Sequence, residues 1–263
     1  SSSSPSLNQV SPVFLQGEML DYGYSSNVSI TDFNNDGKND IAISCYNTFA
    51  NGGLADGSKI VMFENITTGD TLAFKEIDDY GGLLNLSFKG VSHTIEDLEN
   101  DGFKDILYGD ETGMIHLAKQ DQNGVYSYST SLTNSMGRTI DVGQFSAPQL
   151  FDYDDDGDFD LAIGNRSGKI AFYENIGSQF TYSFDSITSD MGGVNVLRDF
   201  TNGGYAKPHF VKDSLGVWEL WVGSYTGNNY YYKDIDGNAT NSFLLTDSLD
   251  FKFGINTSLA VLD

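Results

Sequence analysis

The stretch FDYDDDGDFDLAIG, residues 151–164, has two close copies earlier in the chain: TDFNNDGKNDIAIS at 31–44 and EDLENDGFKDILYG at 96–109. The first acids of the three, Asp32, Asp97 and Asp152, lie 65 and 55 residues apart. A fourth segment, FVKDSLGVWELWVG at 210–223, keeps the apolar frame and the glycine but loses the acids. A fifth copy starts in SLAVLD, which stops on Asp263. Repeats of this length are the mark of propeller blades.

Each copy resolves into short β-rich runs separated by turns. In the third, SAPQLF precedes the acidic segment and DLAIG follows it. A turn at Asn165–Gly168 leads to KIAFYEN, and FTYSFDSI supplies a fourth run. Helical periodicity is nowhere sustained over about 11 residues. The expected fold is therefore all-β, a propeller of four-stranded antiparallel blades at about 26–85, 86–140, 141–200 and 201–255. Residues 1–12 read as a Ser-rich linker, and 13–263 as the propeller. VFLQGEML, within 13–22, and residues 256–263 supply two strands of a partial closing blade, so the sequence is expected to be a fragment of a longer chain. The first copy also carries an insertion, CYNTFANGGLAD at 45–56, at a strand turn where partners can bind.

The three intact segments share the order D-x-[D/N/E]-x-D-G-x-x-D. Oxygen ligands at positions 1, 3 and 5 let a tight turn wrap a hard cation, position 7 adds a backbone carbonyl, and position 9 closes the sphere. Glycine at position 6 permits the bend. The first candidate site is Asp32, Asn34, Asp36, the Lys38 carbonyl and Asp40. The second is Asp97, Glu99, Asp101, the Phe103 carbonyl and Asp105; the third is Asp152, Asp154, Asp156, the Asp158 carbonyl and Asp160. Loop three places six acids in nine residues, which repel one another without a cation. The flexible all-oxygen set favours Ca2+ over Mg2+, at about three sites. An EF-hand would need a twelve-residue loop closed by Glu between two helices, and the sequence has neither.

Composition narrows the partners. The 263 residues carry 37 acidic and 14 basic side chains, a formal charge of −23. That charge repels nucleic-acid phosphates and anionic membrane surfaces. No apolar run approaches the ~18 residues of a spanning helix, so no membrane insertion is expected. The single Cys45 excludes a disulfide framework and a cysteine-ligated zinc site.

With these residues in hand, the chain resembles the FG-GAP or VCBS-repeat β-propellers, whose blades carry integrin-type calcium loops. The resemblance rests on DFNNDGKND, DLENDGFKD and DYDDDGDFD. GNRSGKIAFYENIG, GSYTGNNYYYK and TSDMGGVNV are similar to stretches of Bacteroidota surface proteins exported by type IX secretion. It implies a calcium-stabilised propeller of about seven blades when intact, extracellular or on the bacterial cell surface. It also implies a non-enzymatic interaction or adhesion module whose partner is a protein or a glycan. For glycan stacking the candidates are Trp218, Trp221, Tyr225 and Tyr230 to Tyr232, with Tyr230 the best because its column varies between repeats. For polysaccharide cleavage the histidines His93, His116 and His209 lie on different blades, and no G-x-S-x-G or H-E-x-x-H pattern occurs.

Overall fold

The computed structural model describes residues 25–45, 49–50, 53–54, 58–69, 71–77, 88–197 and 203–250. The Ser-rich start, both strands assigned to a closing blade and part of the insertion lie outside them. Blade 1 is built from β1 (Asn27–Thr31), β2 (Asp40–Ser44), β5 (Ile60–Asn65) and β6 (Phe74–Ile77). The insertion supplies β3 (Phe49–Ala50) and β4 (Gly53–Leu54), which pair with each other. Blade 2 comprises β7 (Ser92–Glu96), β8 (Asp105–Gly109), β9 (Ile115–Gln120) and β10 (Tyr126–Ser131). Blade 3 comprises β11 (Ala147–Phe151), β12 (Asp160–Gly164), β13 (Ile170–Asn175) and β14 (Phe184–Thr188). Blade 4 comprises β15 (Lys207–Lys212), β16 (Trp218–Gly223), β17 (Asn228–Lys233) and β18 (Leu244–Asp250). Every pairing is antiparallel, and the one helical element among the described residues is a 3₁₀ turn at Met191–Gly193. The fold is the expected one: all-β, four four-stranded blades.

Alternation along the strands decides how the blades meet, because successive side chains point to opposite sheet faces. In blade 3, Leu161, Ile163, Ala171 and Tyr173 face blade 2, where they bury against Leu107, Ile115 and Leu117. Ala162, Ile170 and Phe172 face the other way, onto Leu220, Val222, Tyr230 and Tyr232 of blade 4. The seam between blades 1 and 2 repeats the scheme with Ala42, Ile60 and Met62 against Ile106, Tyr108 and Ala118. Each large apolar side chain buried in a seam contributes about 1.5–3 kcal/mol. At the blade 3–4 seam Phe151 stacks on Phe210 at 4.1 Å between centroids, with Trp218 edge-on at 5.3 Å. The Tyr153 hydroxyl donates to the Ile235 carbonyl (3.2 Å) and accepts from the Ala239 amide (3.0 Å), tying loop three to blade 4.

The glycine that ends the second strand of blades 2 and 3 has a packing cause. A Cβ on Gly109 would lie 2.2 Å from the Ser146 carbonyl oxygen, and one on Gly164 2.1 Å from that of Ala206. The next blade's chain therefore passes where only hydrogen fits. Blade 1 has Ser44 at this place, and its hydroxyl meets His93 Nδ1 of blade 2 at 2.8 Å.

The first strand of each blade is innermost, so β1, β7, β11 and β15 surround a central channel. Side-chain amides cover part of their free edges. Gln149 donates to the Phe210 carbonyl (3.0 Å) and accepts from its amide (2.6 Å), and Asn27 donates to the His93 carbonyl (2.9 Å).

Candidate metal centre

The three acidic loops connect first and second strands on one face of the disc, and their backbones are copies of each other. Position 4 takes a left-handed conformation in all three: Asn35, Asn100 and Asp155 at φ 59°, 49° and 63°. Position 6 follows with Gly37, Gly102 and Gly157 at φ 84°, 90° and 93°, where a Cβ would be strained. The position 1 carboxylate caps the turn. Asp32 accepts the amides of Asp36 (3.1 Å) and Gly37 (2.8 Å), and Asp97 those of Asp101 (2.9 Å) and Gly102 (2.8 Å). Asp152 accepts the Asp156 and Gly157 amides, both at 3.1 Å. Position 5 repeats the move: Asp36, Asp101 and Asp156 accept the amides of Lys38, Phe103 and Asp158 at 2.9, 2.9 and 3.0 Å.

Position 9 has a role the sequence pattern did not disclose. Asp40, Asp105 and Asp160 are 0%, 4% and 2% exposed, so they are core residues at the loop's root. Asp160 accepts the Tyr153 amide (3.0 Å) from the loop and the Asn175 amide (2.8 Å) from the end of β13. Asp40 does the same with Phe33 (3.2 Å) and Asn65 (2.7 Å), and Asp105 accepts from Gln120 (3.2 Å). Asp40 and Asp160 therefore clasp loop and third strand together, and Asp105 holds the third strand. Burial pushes Asp105 and Asp160 up to about 7, against the amides that pull them down, and raises Asp40 as well.

The loops differ in how ready they are for a cation. In loop three Asp152, Asp154 and Asp156 each bring a carboxylate oxygen within 4.8 Å of the others. Asp158 sits beside them, 6% exposed, with the Asn175 side chain as the one group that pulls its carboxyl down. Burial first, then Asp156, Asp154 and Asp152, push its carboxyl up to about 6. Crowded carboxylates are what a hard divalent ion relieves. In loop one, Asn34 offers an amide oxygen that already accepts the Asp36 amide at 3.0 Å. In loop two, Glu99 is drawn away into an ion pair with Lys119. Loop two thus needs rearrangement at position 3; loop three does not.

Position 4 reaches sideways. Asn35 donates to the Gly102 carbonyl (2.7 Å), Asn100 to Gln179 (3.2 Å), and Asp155 pairs with Lys212. Each loop is thereby coupled to the next blade.

The other candidates sort differently. Tyr230 is 1% exposed in the blade 3–4 core, which corrects its choice as a ligand contact. The equivalent Ala171, His116 and Val61 are all buried too, so the column varies to fit the neighbouring blade. Tyr232 is core, whereas Tyr231 is half-buried and stacks on Trp221 at 4.3 Å. His93 and His209 both line the central channel. His116 Nε2 meets Asp110 Oδ2 at 2.8 Å, and Ser131 Oγ lies 3.4 Å from Nδ1. This Ser–His–Asp arrangement is closed to substrate: the His116 and Asp110 side chains are each 2% exposed and the ring stacks on Phe88 at 4.0 Å. Cys45 is fully buried, which raises its thiol.

No protein-family model matches the chain, and no curated protein does. Among solved structures it is similar to that of a candidate exo-beta-1,3-galactanase from Bifidobacterium bifidum S17. The two are 15% identical with a TM-score of 0.46, over 83% of this chain and 70% of that one. Likeness at this level says nothing of chemistry. No helix among the described residues is long and apolar enough to cross a membrane.

Proposed function

We propose that this protein is a calcium-stabilised interaction module, extracellular or displayed on a bacterial cell surface, that binds a protein or glycan partner without catalysis of its own. The observation that carries the metal reading is the convergence of Asp152, Asp154 and Asp156 in a loop whose backbone recurs twice more. The residues that would hold calcium are the side chains of positions 1, 3, 5 and 9 and the carbonyls of Lys38, Phe103 and Asp158. When bound, the ion neutralises the loop and cross-links its two ends. The acid-rich composition and the closed His116–Asp110 pair support binding over catalysis. The test is calorimetric titration of chelated protein with calcium, beside Asp156→Asn. Heat of binding that falls by one site in the variant supports the reading; no heat in either protein rejects it.

A second reading, glycan recognition, is favoured by one feature on the face opposite the acidic loops. A cleft of about 480 Å³ there is lined by Gln144, Asn165, Arg166, Ser167 and Leu197. Beside it Tyr205 packs between Phe145 (5.0 Å) and Tyr225 (5.4 Å), with Arg166 over its ring at 5.8 Å. Phe145 and Tyr205 hold left-handed backbones, φ 60° and 50°, which cost bulky side chains about 1 kcal/mol or more each. A glycan array that lights up with the native protein and goes dark with Tyr225→Ala supports this reading; a blank array with the native protein rejects it.

A further inference from the structure

The channel inside the four inner strands encloses about 140 Å³. Two nitrogen groups point to its content. His93, on β7, is 3% exposed; its Nδ1 is held by Ser44 Oγ at 2.8 Å, and its Nε2 is buried with no partner among the described residues. Lys207, on β15, reaches only the Ser25 carbonyl, at 3.5 Å, and no described carboxylate lies within ion-pair distance. Burial and the nearby Lys207 push His93 down to about 3, and burial pushes Lys207 down to about 8. At neutral pH the ammonium is still mostly charged. Lys207 is half-buried, so its ammonium reaches the channel with one long hydrogen bond, and a counter-anion there would complete its pairing.

We propose that the channel is an oxyanion pocket in which the Lys207 ammonium and His93 Nε2–H hold one carboxylate-sized anion. The proposal requires the tautomer in which Nδ1 accepts from the Ser44 hydroxyl, which leaves the proton on the otherwise unpartnered Nε2. Polarity selects the end of the channel. Glu96 lines the end near the acidic loops and is paired with Lys104 at 3.3 Å, so the anion belongs at the Lys207 end. Size selects the ligand. At about 30 Å³ per liquid water the cavity holds a few waters, room for a carboxylate or a sulfate but tight for a whole sugar ring. A cation is excluded by Lys207. The carboxylate can come from a free acid or from an acidic group of a larger partner entering the mouth, and the two sources are separable.

The test is a set of thermal melts of the full chain in sodium formate, acetate, glucuronate, sulfate and chloride at one ionic strength, in calcium-containing buffer. At twenty times its dissociation constant, formate raises the midpoint by about 4 °C over chloride. The gain disappears in Lys207→Met, whose midpoint in chloride equals or exceeds the native one because a half-buried charge without an ion-pair partner is gone. His93→Gln weakens formate binding about tenfold or more. A gain with glucuronate equal to that with formate assigns the source to an acidic sugar; a gain with formate and acetate alone assigns it to free acids. Equal midpoints in all five salts, or a formate gain that survives Lys207→Met, overturn the proposal. So does a Lys207→Met midpoint in chloride far below the native one, which marks Lys207 as a strut.

Discussion

Loop three and its counterpart in blade 4 solve the same problem with different chemistry. Between β11 and β12 the chain runs through residues 152–159; between β15 and β16 it needs only Asp213–Val217. The flanking strands keep one register, with Phe151 opposite Asp160 and Val211 opposite Glu219. In the short turn Asp213 accepts the amides of Leu215 (2.8 Å) and Val217 (3.0 Å), and those bonds hold its carboxyl below the ordinary range. In loop three burial and neighbouring carboxylates push Asp158 the opposite way. The root differs too. Where Asp160 clasps two backbone amides, Glu219 turns to the Tyr231 hydroxyl and to Lys233 at 3.1 Å. A blade therefore closes its hairpin without an acidic loop, and the acids of blades 1 to 3 answer to something other than strand pairing.

The sharpest way to break that comparison is to remove divalent ions. At calcium concentrations about a hundredfold above the dissociation constant each site adds about 2.7 kcal/mol, so three add about 8. Chelation should lower the melting midpoint by about 20 °C, most of it from blades 1 to 3. An unchanged scan would place blade 4 and its neighbours on equal footing and remove the reason for the acids. Next in size is the seam that joins the two regions. Phe151→Ala removes the ring stacked on Phe210 and should cost about 3–5 kcal/mol with calcium or with chelator, read by urea denaturation. A loss confined to the calcium-loaded protein would contradict its assignment to packing.

Asp156→Asn should remove about 2.7 kcal/mol at the same calcium excess and nothing in chelator, while Asp213→Asn should show no calcium dependence. The two variants together test whether the difference between the turns is metal. The smallest effect lies away from both. His93 is held near pKa 3 against an ordinary 6.5, so unfolded chains take up protons first as pH falls below about 6.5. Its share of stability is full above that value and drains as pH falls toward 3, by about 1.4 kcal/mol at pH 5.5. Relative to the native protein, His93→Gln should lose less stability between pH 7 and 5.5; parallel curves would show that His93 titrates alike in both states.

Blade count, strand order and the loop positions were legible because repeats expose their frame: period, alternation and a glycine at the second-strand end in blades 2 to 4. The double use of position 9 was not legible. A carboxylate that ligates and one that clasps amides call for the same letter, and only the burial of Asp40, Asp105 and Asp160 separates the tasks. Tyr230 misled for a related reason. Variation between repeats does not mark exposure: Val61, His116, Ala171 and Tyr230 are all buried, each fitted to its own neighbouring blade. His116 was legible as a histidine but its pairing with Asp110 was not, because the two meet across a hairpin and their separation in the sequence carries no pattern.

The most direct measurement is the number of calcium ions bound per chain, by equilibrium dialysis of the full protein against the free ion. Three ions per native chain, falling to two in Asp156→Asn and remaining three in Asp213→Asn, is the expected result. Fewer than one ion per native chain at millimolar calcium would contradict the account.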